Sequence, residues 1–331
     1  MHRCIKLPNR QVQLAKLTHI ELQIQRSSVS MGARDGILVI NKPLGITSHD
    51  VVAKVRKALG MRKVGHAGTL DPEASGVLVL GVNRGTRLMQ YFVGDNKRYE
   101  ATIRLGVTTI SDDAAGEVIT VTANSLNAEQ VTAELKNFIG PIMQRPSSVS
   151  AIKVNGTRAH DLVRAGVDLV LPERPVTVHQ IELTEINEAI YAEKPITEIS
   201  VKVHCSSGTY VRALARDLGA VLQAGGSVLS LTRTQAGVFD LADAIELADL
   251  TADTKLLSLG EVAMRILNTR VINSAHILDL AHGRSILLSL PDANSLALLD
   301  ESGNLISIGE LSNGTFQPVN VFVTPAELLD V

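Results

Sequence analysis

The sequence predicts an α+β chain in two domains, and three observations carry that expectation. Apolar residues alternate with period 2 over 97–106 and 198–205, which marks strands with one apolar face each. Stripes recurring every three to four residues follow Thr47 and Tyr210, which marks amphipathic helices. Beyond residue 265 short apolar runs are joined by tight turns, the pattern of a small β-barrel or sandwich. The expected divisions are an N-terminal extension over 1–33, a main domain over 34–255 and a C-terminal β domain over 265–331, with 331 residues enough to bury both cores.

Composition narrows the class. Hydrophobic residues make up 45% and charged residues 20%, as in ordinary globular proteins. No apolar run reaches the roughly 18 residues of a membrane helix, and no membrane association is expected. Cys4 and Cys205 make neither a disulfide framework nor a metal quartet. A reducing, cytoplasmic setting is the expectation. The net charge of −2 hides an asymmetry. Residues 34–110 hold 12 Lys and Arg against 6 Asp and Glu, whereas residues 237–331 hold 4 against 13. An anionic partner near the basic half is one reading, and solvated charged faces are the other.

Residues 1–30 carry five basic residues, one acid (Glu21) and no apolar signal-peptide core. A disordered tail, or an extended start ahead of Met31, is the expectation. Gly36–Ile40 reads as a buried strand. Thr47 and Asp50 form a capping-box pattern for a helix whose stripe is Val51, Val52, Val55, Ala58 and Leu59, with Gly60 as the stop. Lys54, Arg56, Lys57, Arg62 and Lys63 lie off that stripe. They suit phosphates or a solvated face equally.

The stretch Gly65-His66-Ala67-Gly68-Thr69-Leu70-Asp71-Pro72-Glu73-Ala74-Ser75-Gly76 packs three glycines, a histidine and a proline-locked aspartate into one segment. Glycine admits positive φ and close backbone approach. Proline holds the preceding residue extended. Asp-Pro can also open a helical turn as cap and first residue. A buried strand, 77–82, follows. A carboxylate on a stiff loop braced by a strand is a plausible seat of chemistry.

In 97–106, Tyr99, Ala101, Ile103 and Leu105 share a face. Tyr99 is therefore core, or, with Lys97 and Arg98 beside it, part of a cleft. Ser111–Gly116 reads as a solvated acidic turn rather than a calcium loop, because its spacing fails that pattern. Asn127–Phe138 reads as a short helix with Val131, Leu135 and Phe138 inward. Pro146–Gly156 is irregular, and its Ser148, Ser150 and Lys153 do not by themselves make a nucleophile and base. After the strand 198–205 comes a helix with Val211, Leu214, Ala215, Leu218, Val221 and Leu222 inward. Arg212 lies near its start, unfavourably for the helix dipole, so a partner carboxylate is expected. Asp71 is one candidate and the local Asp217 the other. In the last domain a helix around Ser274–Ala281 ends at Gly283, and strands flank the 301–304 and Asn313-Gly314 turns.

Four ordered motifs carry a resemblance. They are Asn41-Lys42-Pro43 with Thr47-Ser48-His49-Asp50, the Gly65–Gly76 loop, Lys97-Arg98-Tyr99, and Gly208-Thr209-Tyr210-Val211-Arg212, with Leu231 and Arg233 as a fifth. Over roughly 34–240 the chain resembles the TruB family of tRNA pseudouridine synthases. The resemblance implies a mixed, largely antiparallel sheet with flanking helices, and a PUA-like C-terminal β domain. It implies isomerisation of the T-loop uridine at tRNA position 55 by base flipping, with no metal or organic cofactor, by a monomer needing no protein partner. It implies Asp71 as nucleophile, Tyr99 on the base and as proton acceptor, and Arg212 paired with Asp71. His66 is implied to stack near, or fill the space left by, the flipped nucleotide. Tyr210 and Leu231 line the pocket, while Lys42 and Pro43 support Tyr99 from beneath. A guide-RNA-dependent synthase of the dyskerin type and a tRNA-folding chaperone are the alternatives. Asn41, Gly85, Val149 and His160 depart from the family pattern.

Overall fold

The computed structural model describes residues 34–150, 152–154, 156–159, 162, 165–167 and 169–328. The expectation for 1–33 and the departure at His160 lie outside the described residues. Two compact units are present, a larger one spanning Ile37–Lys255 and a smaller one containing Leu256–Val331.

The strands of the larger unit are β1 (Gly36–Lys42), β2 (Val64–Ala67), β3 (Ala74–Val82), β4 (Lys97–Leu105), β5 (Val107–Thr109), β6 (Val118–Val121), β7 (Gly140–Gln144), β8 (Lys153–Val154), β9 (Thr157–Arg158), β10 (Arg174–Tyr191), β11 (Lys194–Cys205), β12 (Gly226–Ala236), β13 (Phe239–Asp240) and β14 (Ile245–Glu246). Ten of them form one sheet in the order β14-β1-β3-β12-β4-β11-β10-β7, with β13 on β12 and β2 on β3. The sheet is mixed. β1 runs parallel to β14 and β12 parallel to β3, while β12–β4, β4–β11, β11–β10 and β10–β7 are antiparallel.

Alternation decides which face packs. Ala101, Ile103 and Leu105 of β4, with Ile199, Val201, Val203 and Cys205 of β11, are buried with Tyr99 against them. Two helices cover this face, Ala128–Asn137 through Val131 and Leu135, and Val211–Val221 through Val211, Leu214, Ala215 and Leu218. Val221 differs from the expectation. It is 53% exposed at the last residue of the helix, while Leu218 and Leu222 on either side of it pack against the core. The helix Ser48–Leu59 starts at a complete capping box of Thr47 and Asp50 and stops at Gly60, whose φ of 65° is left-handed. Its buried residues are Ser48, Val51, Val52, Val55 and Leu59.

The smaller unit holds β15 (Asn268–Val271), β16 (Ile286–Leu287), β17 (Ala293–Leu299), β18 (Leu305–Ser312) and β19 (Thr315–Val321) in one sheet of order β15-β17-β18-β19-β16. The second layer is helical rather than a second sheet. Leu280, on the helix Ser274–Ala281, packs with Leu296, Leu298, Ile306 and Phe316. Asn313 and Gly314 both take positive φ in the tight β18–β19 hairpin.

Candidate active site

The loop between β2 and β3 is held from three sides. Arg233 of β12 is only 2% exposed, and its guanidinium donates to the carbonyls of Val77 (2.8 Å), Gly68 (3.0 Å) and Thr69 (3.3 Å). The Ser48 hydroxyl accepts the Leu70 N–H at 2.9 Å and donates to the Leu70 carbonyl at 3.0 Å. Lys42 is fully buried, and its ammonium donates to the carbonyls of Pro43 (2.9 Å), Ile46 (2.8 Å) and Pro72 (3.4 Å). Burial lowers the Lys42 pKa to about 8, against an opposing pull from Asp71. The Asp-Pro dipeptide opens no helix. The Ala74 N–H bonds the Asp71 carbonyl at 3.1 Å, and the chain passes directly into β3. Gly76 makes this possible, since a Cβ there would stand 2.2 Å from the Arg233 carbonyl oxygen and its φ is +102°.

The Asp71 carboxylate meets Arg212. Nη2 of Arg212 is 2.7 Å from Oδ2 of Asp71, with side-chain exposures of 6% and 42%. Both terminal nitrogens have further partners. Nη2 also donates to the Val149 carbonyl (3.1 Å), while Nη1 donates to the Ser111 carbonyl (2.7 Å) and lies 3.2 Å from Oδ2 of Asp113. The Ser111–Gly116 segment is therefore not a solvated acidic turn. Ser111, Asp112 and Asp113 are buried, because Arg212 and Arg216, one helical turn apart, take up their charges. Asp113 is further held by the Ser111 hydroxyl (2.5 Å) and the Ala115 N–H (3.1 Å). Asp217 pairs with Arg216 at 2.8 Å and not with Arg212.

A cavity of about 370 Å³ opens over this pair. Asp71, Lys97, Tyr99, Tyr210, Leu231 and Arg233 are among its lining residues. Tyr99 stands across the sheet from Val203 on one side and Arg233 on the other. Burial raises its pKa, with Arg233 pulling the other way. Burial, and then the Asp71 charge, also raises that of Tyr210. Both phenols are thus neutral at neutral pH and offer flat, polar-tipped surfaces beside a carboxylate. Lys97 is buried, its ammonium on the Val93 (2.7 Å) and Asp95 (2.5 Å) carbonyls.

Of the residues expected at a site, the structure gathers Asp71, Tyr99, Tyr210, Arg212, Leu231 and Arg233 around one cavity. His66 is not among the lining residues. It sits on β2 with its ring edge-on to His49 at 5.3 Å, and its Nδ1 is buried without a hydrogen-bond partner. Burial, then His49, lowers its pKa, so the ring is neutral. Lys42 serves the 43–46 turn and the Pro72 carbonyl, bracing the Asp71 loop. Sequence reasoning did not single out Asp113, Ser48 or Gln144 as site residues. Asp113 carries no local signal, since Arg212 and Arg216, which pair with it and with Asp112, lie about a hundred residues later. Among the described residues no group of three or more His, Cys, Asp or Glu could hold a metal ion.

Comparison with known proteins defines the class. A family model described as TruB family pseudouridylate synthase (N terminal domain) matches residues 56–211. A second, tRNA pseudouridylate synthase B C-terminal domain, matches residues 212–263. The chain is 43% identical over 297 residues to the tRNA pseudouridine synthase B of Corynebacterium jeikeium, covering 86% of this chain and 96% of that protein. It is 41% identical over 289 residues to that of Thermobifida fusca, covering 87% and 98%. A crystal structure of the archaeal box H/ACA sRNP Nop10-Cbf5 complex shares the fold with a TM-score of 0.67 at 22% identity, over 92% of this chain and 91% of that one. An H/ACA RNP bound to a substrate RNA containing 2′-deoxyuridine matches with a TM-score of 0.66 at 22% identity, over 93% and 88%. Fold and family model together define a pseudouridine synthase. The chain belongs to the TruB family.

Proposed function

We propose that the chain converts uridine to pseudouridine at position 55 in the T-loop of tRNA, acting alone and with Asp71 as nucleophile. The observation that carries this reading is the Asp71–Arg212 pair, 2.7 Å apart in the lining of a cavity also bounded by Tyr99 and Tyr210. The names of the 41–46% identical relatives support tRNA as the substrate.

A base stacked in an RNA loop is out of reach of a carboxylate, so the nucleotide must leave the stack at a cost of a few kcal/mol. Aromatic faces recover part of that cost. The reaction breaks the bond between C1′ and N1, turns the uracil and forms a bond between C1′ and C5. The bond made by Asp71 breaks again within the cycle, the proton on C5 leaves and N1 gains one, so the product is an isomer of the substrate and the carboxylate is regenerated. The detached ring must not escape, so a closed cavity and fixed geometry matter most. In this reading Asp71 is the nucleophile, aimed by Arg212, and the half-exposed carboxylate faces the entering nucleotide. Tyr99 contacts the base and receives the C5 proton as it passes on its own. Tyr210 and Leu231 confine the ring. His66 stands outside the cavity, where it can stack by the place the base vacates. Lys42, Pro43 and Arg233 keep the Asp71 loop rigid.

Asp71→Asn tests the assignment. It keeps the shape and a hydrogen-bond acceptor for Arg212, and should abolish product while tRNA still binds. Turnover by this variant would remove Asp71 as nucleophile.

A further inference from the structure

Gln144, the last residue of β7, is 1% exposed and belongs to no catalytic motif. Its side-chain amide reaches Tyr210, 66 residues away. Oε1 accepts the Tyr210 N–H at 2.8 Å, and Nε2 donates to the Tyr210 carbonyl at 3.1 Å. A side-chain amide that takes both polar groups of one residue does the work of a missing neighbouring strand. Tyr210 needs it. It is the N-cap of the helix Val211–Val221, it is extended (φ −102°, ψ 109°), and its own side chain makes no cap bond. An unpaired N–H at this buried corner would be costly.

The same edge continues the stitching. The Arg145 carbonyl accepts from Arg216 at 2.8 Å, the Ser147 hydroxyl donates to the Ser111 carbonyl at 3.1 Å, and the Val149 carbonyl accepts from Arg212 at 3.1 Å. The segment 144–149 thus straps the start of the helix, and Gln144 stitches it to the residue that sets the helix's entry angle. Tyr210 lines the cavity, and Arg212 follows it by two residues.

We propose that Gln144 is a positioning residue for the reaction: its amide fixes the Tyr210 backbone, so that the Tyr210 ring and the Arg212 guanidinium face the cavity in the geometry that aims Asp71. This rests on the function proposed above. Gln144 touches no substrate. Its loss leaves RNA binding, which spreads over a wide surface, and removes alignment, to which rate is far more sensitive than affinity.

The test uses the full chain, an unmodified tRNA transcript and three variants, with single-turnover rate at saturating protein and RNA Kd measured separately. Gln144→Met keeps the volume and neither hydrogen bond. Gln144→Glu keeps an acceptor for the Tyr210 N–H and loses the donor to its carbonyl. The expected order of rate is wild type, then Glu, then Met, with the Met variant slower by about tenfold or more and Kd changed by less than about threefold. Combined with Tyr210→Phe, the Gln144→Met loss should be less than multiplicative, because both act through one ring. A Met variant with wild-type rate overturns the proposal. So does a loss in which RNA affinity, rate and melting temperature all fall together, which marks a purely structural residue. Should Met fail to fold, the Glu variant decides alone, since a wild-type rate there overturns the proposal. Wild-type protein that makes no pseudouridine overturns the function proposed above, and is read before any variant.

Discussion

Asp113 lies 3.2 Å from Nη1 of Arg212, while Nη2 of the same guanidinium holds Asp71 at 2.7 Å. One buried cation is therefore shared by two carboxylates, one anchored deep and one half-exposed. The anchored partner limits how firmly Arg212 can hold Asp71, and fixes where Arg212 stands.

Asp113→Asn should keep the shape, remove the charge and leave one acceptor oxygen where there were two, so that the Ala115 N–H or Arg212 Nη1 faces an amide donor. The Arg212–Asp71 pair then tightens, and the guanidinium loses its anchor. A bond to a charged group is worth about 1.5–3 kcal/mol, so the single-turnover rate should fall by roughly ten- to a hundredfold with RNA Kd little changed. Quench-flow or manual time courses on a tRNA transcript check this. An unchanged rate would mean that Asp113 only neutralises a buried arginine.

Arg233 binds two loop carbonyls, of Gly68 and Thr69, and the Val77 carbonyl of β3. A lysine carries one nitrogen and cannot reach all three. Arg233→Lys should destabilise the larger unit by roughly 2–4 kcal/mol and slow the reaction. Urea unfolding followed by circular dichroism reads the first effect.

Gly76→Ala probes the close approach of β3 to β12. The added Cβ meets the Arg233 carbonyl, and positive φ is unfavourable for alanine. The expected cost is roughly 2–5 kcal/mol, visible as a lower melting temperature. A variant as stable as wild type would show that the strands separate easily here.

The lowered pKa of Lys42 gives a pH signature. Folding depresses it from 10.5 to about 8, so between those values the unfolded chain holds more protons than the folded one. Stability from this group therefore rises with pH through that window, and its burial penalty is fully present below about 8. The difference in unfolding free energy between wild type and Lys42→Met should shift in favour of wild type from pH 7 to pH 10. A constant difference would show that Lys42 keeps its proton throughout.

The frame of the fold is readable in local pattern. Alternation marks β4 and β11, and the Thr47–Asp50 box marks where the first helix begins, because each signal sits within a few residues. Asp71 is legible for the same reason, since glycines and a proline announce the loop. The dipole cost of Arg212 at a helix start points to a carboxylate, and Asp71 supplies it. What local pattern misses depends on distant partners. Asp112 and Asp113 look like a water-facing turn until Arg212 and Arg216, about a hundred residues later, neutralise them. Lys42 lies in an Asn-Lys-Pro string that gives no sign of its buried ammonium. Gln144 ends an edge strand, and nothing around it reveals that its amide serves Tyr210. Asn268–Val271 carries no strand signal of its own, and its pairing with β17 makes it β15.

The most direct measurement incubates the purified chain with an unmodified tRNA transcript, and no other RNA or cofactor, then maps pseudouridine by carbodiimide labelling and primer extension. The account predicts one stop, at the T-loop uridine, absent with Asp71→Asn. No stop despite tight binding, or a stop that needs an added guide RNA, would contradict it.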